Sequence, residues 1–147
     1  MTDLDFVDAD RIVAIATEVF AGMVDGQTGR LTAWPGHVVT PADPLHAWVT
    51  LTTEPPRQVL LTAGAGTARD LTRALLRADA GTPLTDEDVV DAFGEIVNIL
   101  GGNIKGLLPE HVELTLPQVS RESPTAGGAL MLEVVLDWRG CPLFISM

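Results

Sequence analysis

Asp88-Val-Val-Asp-Ala-Phe-Gly-Glu-Ile-Val-Asn-Ile-Leu-Gly-Gly-Asn-Ile-Lys105 is the stretch whose periodicity decides how this chain folds. At about 100° of rotation per residue, Asp91, Glu95, Asn98, Gly102 and Lys105 fall within about 80° of arc on a helix. Val90, Phe93, Ile96, Val97, Leu100, Ile104 and Leu107 take the remaining side. The pattern predicts a mostly buried helix that shows one narrow polar ribbon to solvent. Within the ribbon a carboxylate and a carboxamide stand three residues apart, close enough to act together. Gly101 and Gly102 follow, each costing a helix about 1 kcal/mol relative to alanine. That cost implies that something approaches the bare backbone one turn beyond Asn98, either a partner or a packed neighbour.

Upstream, Thr85-Asp-Glu-Asp88 reads as a capping box with acidic residues crowding the first turn, and Pro109 marks the end of the helix, near Leu107. Thr67-Ala-Arg-Asp70 has the same form and predicts a second helix through Leu71, Leu75 and Leu76 to about Asp79. A further helix is expected from a cap at Asp8 or Asp10 through Ile12, Ile15, Val19, Phe20 and Met23 to Gly26. Residues 46–53 and 57–63 alternate like strands and form a hairpin around Glu54-Pro55-Pro56. Residues 37–40 suggest a short strand in a loop. The last third predicts strands at residues 112–120, 129–138 and 141–147, with Arg139-Gly140 as a two-residue turn. The order implies an α+β fold, long helices packed on a mixed or antiparallel sheet.

Composition bounds the function. The chain has 147 residues, 46% of them hydrophobic, which predicts one globular domain over residues 1–147. Nine Lys and Arg against 20 Asp and Glu give a net charge of -11 and no basic patch, so neither nucleic acid nor an anionic membrane is an expected partner. No apolar run approaches the ~20 residues of a membrane-spanning helix. Met1 to Phe6 lack the basic start and apolar core of a secretory signal, so the protein is expected in the cytoplasm. Cys141, the sole cysteine, reads as a buried free thiol; His37, His46 and His111 are too scattered for a metal site, and none is expected. Trp34, Trp48 and Trp138 read as core or interface anchors.

Asp91-x-x-x-Glu95-x-x-Asn98 on a long helix, followed by Gly101-Gly102 and by Leu114-Thr-Leu-Pro117, resembles the motif of the CheC/CheX/FliY chemotaxis phosphatases, most closely the CheX type. The resemblance implies a CheX-like fold and hydrolysis of the aspartyl phosphate of a phosphorylated CheY-like response regulator. It gives Asn98 the task of placing the attacking water and Glu95 that of pairing with the regulator's lysine, with Asp91, Gly102 and Lys105 as partner contacts. No cofactor is implied for this chain; Mg²⁺ belongs to the regulator's site. A homodimer is implied by the resemblance alone.

A gapless alignment of Ile12 to Met23 with Val89 to Leu100 sets Glu18 on Glu95 but Ala21 on Asn98. If this is an internal duplication, a single site remains. Two other readings compete with the phosphatase. One is a non-catalytic adaptor with the same docking surface, and the other is an oligomeric structural module joined through edge strands at Val134 or Ile145.

Overall fold

The structure, a computed structural model, describes residues 7–124 and 132–147. The first helix, α1 (Ala9–Val19), is capped by Asp8, whose carboxylate accepts from the Arg11 N–H at 2.8 Å. It continues as a π-helical stretch, Phe20–Asp25, that stops at Gly26 in the left-handed conformation. Strands β1 (Leu31–Ala33), β2 (Pro44–Leu51) and β3 (Arg57–Gly64) follow, then α2 (Ala65–Leu76) and the long α3 (Asp86–Lys105). Strands β4 (Gln118–Ser120), β5 (Glu133–Trp138) and β6 (Cys141–Ser146) complete the order. The sheet runs β1-β5-β6-β3-β2-β4, and every pairing is antiparallel. The fold is therefore α+β as expected, with the sheet antiparallel throughout.

Alternation along the strands sends Ala47, Val49 and Leu51 of β2, Val59, Leu61 and Ala63 of β3, and Leu143 and Ile145 of β6 into the core. There they meet Ile12, Ala16 and Phe20 from the first helix, Leu71 from α2, and Phe93, Ile96, Val97, Leu100 and Ile104 from α3. Trp138 sits edge-on to Phe20, with ring centroids 6.5 Å apart. Its indole N–H donates to the Asp25 carboxylate at 3.1 Å, and Arg139 donates to the same group at 2.8 Å. A carboxylate whose side chain is 1% exposed is thereby satisfied from two sides.

Several local predictions hold because local chemistry settles them. Thr85 and Asp88 exchange both bonds of a capping box at 3.0 and 2.9 Å. Arg139 and Gly140 both have positive φ, +52° and +85°, the geometry that a two-residue hairpin turn requires.

Other expectations are corrected. The short strand lies at Leu31–Ala33 and not at residues 37–40, because Leu31 buries against the sheet opposite Trp138 while Val39 is 82% exposed. Thr67 does not cap α2. The helix starts three residues earlier, straight from the end of β3 with Gly64 at the N-cap, and it ends at Leu76, where Arg77 turns left-handed at φ +57°. Val90, expected in the core, is 44% exposed, and α3 stops at Lys105.

The strand expected over 112–120 is split. Only Gln118–Ser120 pairs continuously with β2, and Leu114 makes an isolated bridge to Leu51. Three steps on β2, from Leu51 to Trp48, face four on the other strand, from Leu114 to Gln118. One extra residue is accommodated as a bulge at 115–117, where Pro117 has no N–H to offer a ladder. Residues 129–131 of the next expected strand lie outside the described residues; β5 covers the remainder from Glu133. Ile145 is not an edge position, since β6 lies between β5 and β3, and Val134 pairs with it on β5, whose outer neighbour β1 reaches only Leu136–Trp138; the edge strands are β1 and β4.

His46 of β2 places its Nδ1 2.8 Å from the Thr62 hydroxyl on β3, and burial lowers its pKa below the ordinary value of about 6.5. The unfolded chain therefore takes up a proton first as the pH falls below about 6.5, and stability declines from there down to the folded-state pKa. Above that window His46 contributes no pH dependence. His46→Gln is expected to flatten this part of a urea-midpoint profile against pH. A slope identical to the wild type's would rule this linkage out.

Candidate functional site

The polar ribbon of α3 is built as its periodicity implies. Asp91, Glu95 and Gly102 are exposed, and Asn98 and Lys105 are half-buried on the same side of the helix. Glu87, also exposed, extends the acidic row one turn toward the N-terminus. Glu87, Asp91 and Glu95 recur every four residues, and like charges at that spacing destabilise an isolated helix by about 0.2–0.5 kcal/mol per pair. The helix dipole favours Glu87 in the first turn, but among the described residues no cation pairs with any of the three. The ion pairs join Arg11 to Asp8, Arg69 to Asp86, Arg121 to Asp43 and Arg139 to Asp25. Within the described part of the chain, the carboxylates of Asp91 and Glu95, the Asn98 carboxamide and the Lys105 ammonium have no hydrogen-bond or ion-pair partner. By contrast, Asn103 on another face donates to the Ile99 carbonyl at 2.9 Å.

The two glycines after Asn98 separate cleanly. A Cβ on Gly101 would lie 2.5 Å from Cγ2 of Val49, so this glycine lets α3 press onto β2. Gly102 is exposed, and the nearest atom to a Cβ built there is Cδ1 of Leu114 at 4.0 Å. Gly101 thus answers to a packed neighbour, a strand in this case, while Gly102 leaves bare backbone on the ribbon. Further along, Pro117 and Val119 cover Gly94: a Cβ there would meet the two side chains at 3.6 and 3.5 Å. The 115–117 bulge therefore flanks the ribbon, and Leu116 within it is 86% exposed. Neither helical nor strand periodicity marks Leu116, since its exposure comes from the bulge.

The first helix does not repeat this arrangement. Glu18 is exposed on α1, but Ala21 falls in the π-helical stretch, so the two positions lack the common α-helical phase of Glu95 and Asn98. A cavity of about 420 Å³ lies away from the ribbon, among Asp25, Arg73, Arg77, Trp138, Arg139 and Cys141. Four of these groups have structural tasks: Asp25 holds Trp138 and Arg139, and Arg73 donates to the Asp79 and Thr82 carbonyls at 2.9 and 2.7 Å. Cys141, expected to be buried, is half-exposed at its wall. Among the described residues no group of three or more His, Cys, Asp or Glu side chains could hold a metal ion, and no helix is long and apolar enough to cross a membrane.

Comparison with solved structures shows the same fold. A chemotaxis protein CheX from Vibrio vulnificus matches with a TM-score of 0.71 at 17% identity, over 99% of this chain and 97% of that one. The CheX in a CheX-CheY-BeF3-Mg²⁺ complex from Borrelia burgdorferi matches with a TM-score of 0.67 at 14% identity, over 93% and 94% of the two chains. FliY of Thermotoga maritima matches with a TM-score of 0.62 at 13% identity, over 92% and 83%. No match is found among curated proteins. The model of the family described as "Chemotaxis phosphatase CheX" matches residues 46–127, from β2 through α3 and the bulge to beyond β4. A match over more than half of the chain, with the whole polar ribbon inside it, places this protein in the CheX family of chemotaxis phosphatases.

Proposed function

We propose that this protein hydrolyses the aspartyl phosphate of a CheY-like response regulator, with Asn98 placing the water and Glu95 docking on the regulator's lysine. The observation that carries this reading is the unpartnered pair itself: an exposed carboxylate and a half-buried carboxamide, one helical turn apart on a CheX-family helix, neither with a hydrogen-bond or ion-pair partner among the described residues. The Asn98 carboxamide enters the regulator's site and holds a water in line with the scissile bond. The water oxygen attacks phosphorus, the bond from phosphorus to the aspartyl oxygen breaks, and the regulator's carboxylate and inorganic phosphate leave; the water's proton passes to phosphate or solvent.

Phosphoryl transfer rewards positioning above all, so an amide on a rigid helix is an adequate device. It is neutral, it both donates and accepts, and it does not repel the phosphoryl oxygens as a carboxylate would. The metal, Mg²⁺, is held by the regulator, whose lysine and cation make a positive site that complements the acidic row of Glu87, Asp91 and Glu95. Gly102 admits the partner's backbone, and Asp91 and Lys105 contact it at either end of the ribbon. We extend the same reading to the remaining expectations: one domain, acting in the cytoplasm as a homodimer.

The test is the decay of a phosphorylated CheY-like receiver from the same genome, with Mg²⁺, across receiver concentrations. Wild type is expected to accelerate it. Glu95→Gln, which removes one charge and keeps the shape, is expected to raise KM by about tenfold, because the loss is one of charge pairing at the docked face. Binding without acceleration by any receiver would leave the adaptor reading in its place.

A further inference from the structure

The segment beside the ribbon carries a feature that water-positioning chemistry does not require. Leu114 lies against Gly101 and Gly102, its Cδ2 3.4 Å from a Cβ built on Gly101, and Pro117 lies against Gly94. Leu114 and Pro117 thus lie against glycines about 10 Å apart along the helix axis. Residues 114–117 therefore run along α3, and Leu116 lies beside the stretch from Gly94 to Gly101 that carries Asn98. Asn98 itself points only about 40° from Gly94 and 60° from Gly101 around the axis. The bulge turns Leu116 outward to 86% exposure. Val90 lies one turn before Gly94 on the same flank and is 44% exposed. Of the four exposed large hydrophobics among the described residues, these two therefore bracket Pro117 beside the ribbon; the others are Val39 and Leu76.

We propose that Leu116, with Val90, forms the apolar contact that seats a CheY-like receiver against Glu95 and Asn98. This rests on the proposed function. The occupant follows from continuity: an ordinary protein interface covers about 800 Å² on each partner, a patch of roughly 16 Å radius. A patch of that size centred on Asn98 reaches the 115–117 bulge beside it, Leu116 included. Bulges next to functional sites re-aim side chains, and here the re-aimed side chain is the one large apolar group in the segment left open to a partner. Leu116 acts on binding and touches no reacting atom.

The experiment measures stimulated decay against receiver concentration for wild type, Leu116→Ser and, as a control outside the strip, Val39→Ser. Each variant is also titrated with the beryllofluoride-loaded, Mg²⁺-bound receiver, and its oligomeric state is followed by sedimentation. Leu116→Ser is expected to raise KM and the dissociation constant roughly tenfold, the scale of losing one buried leucine contact, with kcat within about twofold. Val39→Ser is expected to match wild type in all three. An active wild type with an unchanged KM in Leu116→Ser overturns the proposal while leaving the phosphatase reading intact. Binding weakened by Leu116→Ser in the absence of hydrolysis supports the docking contact and removes the phosphatase. A wild type that neither binds nor hydrolyses overturns both. A change in oligomeric state alone would assign the strip to a second copy of this chain, against the proposal.

Discussion

Asn98→Ala is expected to reduce the stimulated decay of a phosphorylated receiver by at least about 100-fold, the cost of misplacing a reacting group by an ångström or so. The same variant should fold as well as wild type or better. Asn98 has no partner among the described residues, so its removal strands no buried donor or acceptor, and alanine is the stronger helix former by about 0.5 kcal/mol. Loss of activity together with equal or raised stability separates a functional side chain from a structural one. Asn98→Gln retains the amide but moves it by one methylene, and Asn98→Asp retains the shape but adds a charge facing the phosphoryl oxygens; both should be nearly as inactive. The measurement is single-turnover decay with each variant in excess, alongside urea denaturation. An active Asn98→Ala would assign the ribbon to binding only.

Gly101→Val should produce the largest loss of stability, about 3 kcal/mol, at the upper end of what overpacking a core costs. Val49, whose methyl would lie 2.5 Å from the new Cβ, is fully buried on β2, and β2 is held between β3 and β4. Neither side of the contact has room to withdraw. The neighbouring Gly102→Ala should have the opposite sign, because its Cβ meets nothing nearer than 4.0 Å and the helix recovers about 1 kcal/mol of propensity. Two adjacent glycines thus answer to different needs, Gly101 to packing and Gly102 to whatever approaches the exposed ribbon. Urea midpoints for the two variants decide it. If both stabilise, α3 does not press on β2 as closely as described, and if both destabilise, Gly102 carries a packing role as well.

Elements governed by neighbours in sequence were readable from the chain itself. The α3 ribbon, the Thr85–Asp88 box, the β2–β3 hairpin and the Arg139-Gly140 turn each depend on residues a few positions apart. The misreadings share another cause. Leu31–Ala33 becomes a strand because β5 offers it an edge, Gly64 caps α2 because β3 ends there, and Val90 is exposed although Pro117 and Val119 cover Gly94 one turn further along the same flank. None of these depends on local propensity. The bulge is intermediate: Pro117 announces that the strand is interrupted, but the extra residue is visible only once Leu114 and Gln118 are both paired with β2. The candidate site divides in the same way. Glu95, Asn98 and Gly102 follow from helical phase, whereas Leu116 follows from a register set by the partner strand.

The decisive measurement follows phosphate loss from a phosphorylated CheY-like receiver with Mg²⁺ after wild-type protein is added well below the receiver's concentration. Many receiver molecules are expected to be dephosphorylated per molecule of this protein, with no acceleration when Asn98→Ala replaces it. Decay at the receiver's own rate despite saturable binding would contradict the phosphatase reading and leave a docking protein that does not hydrolyse.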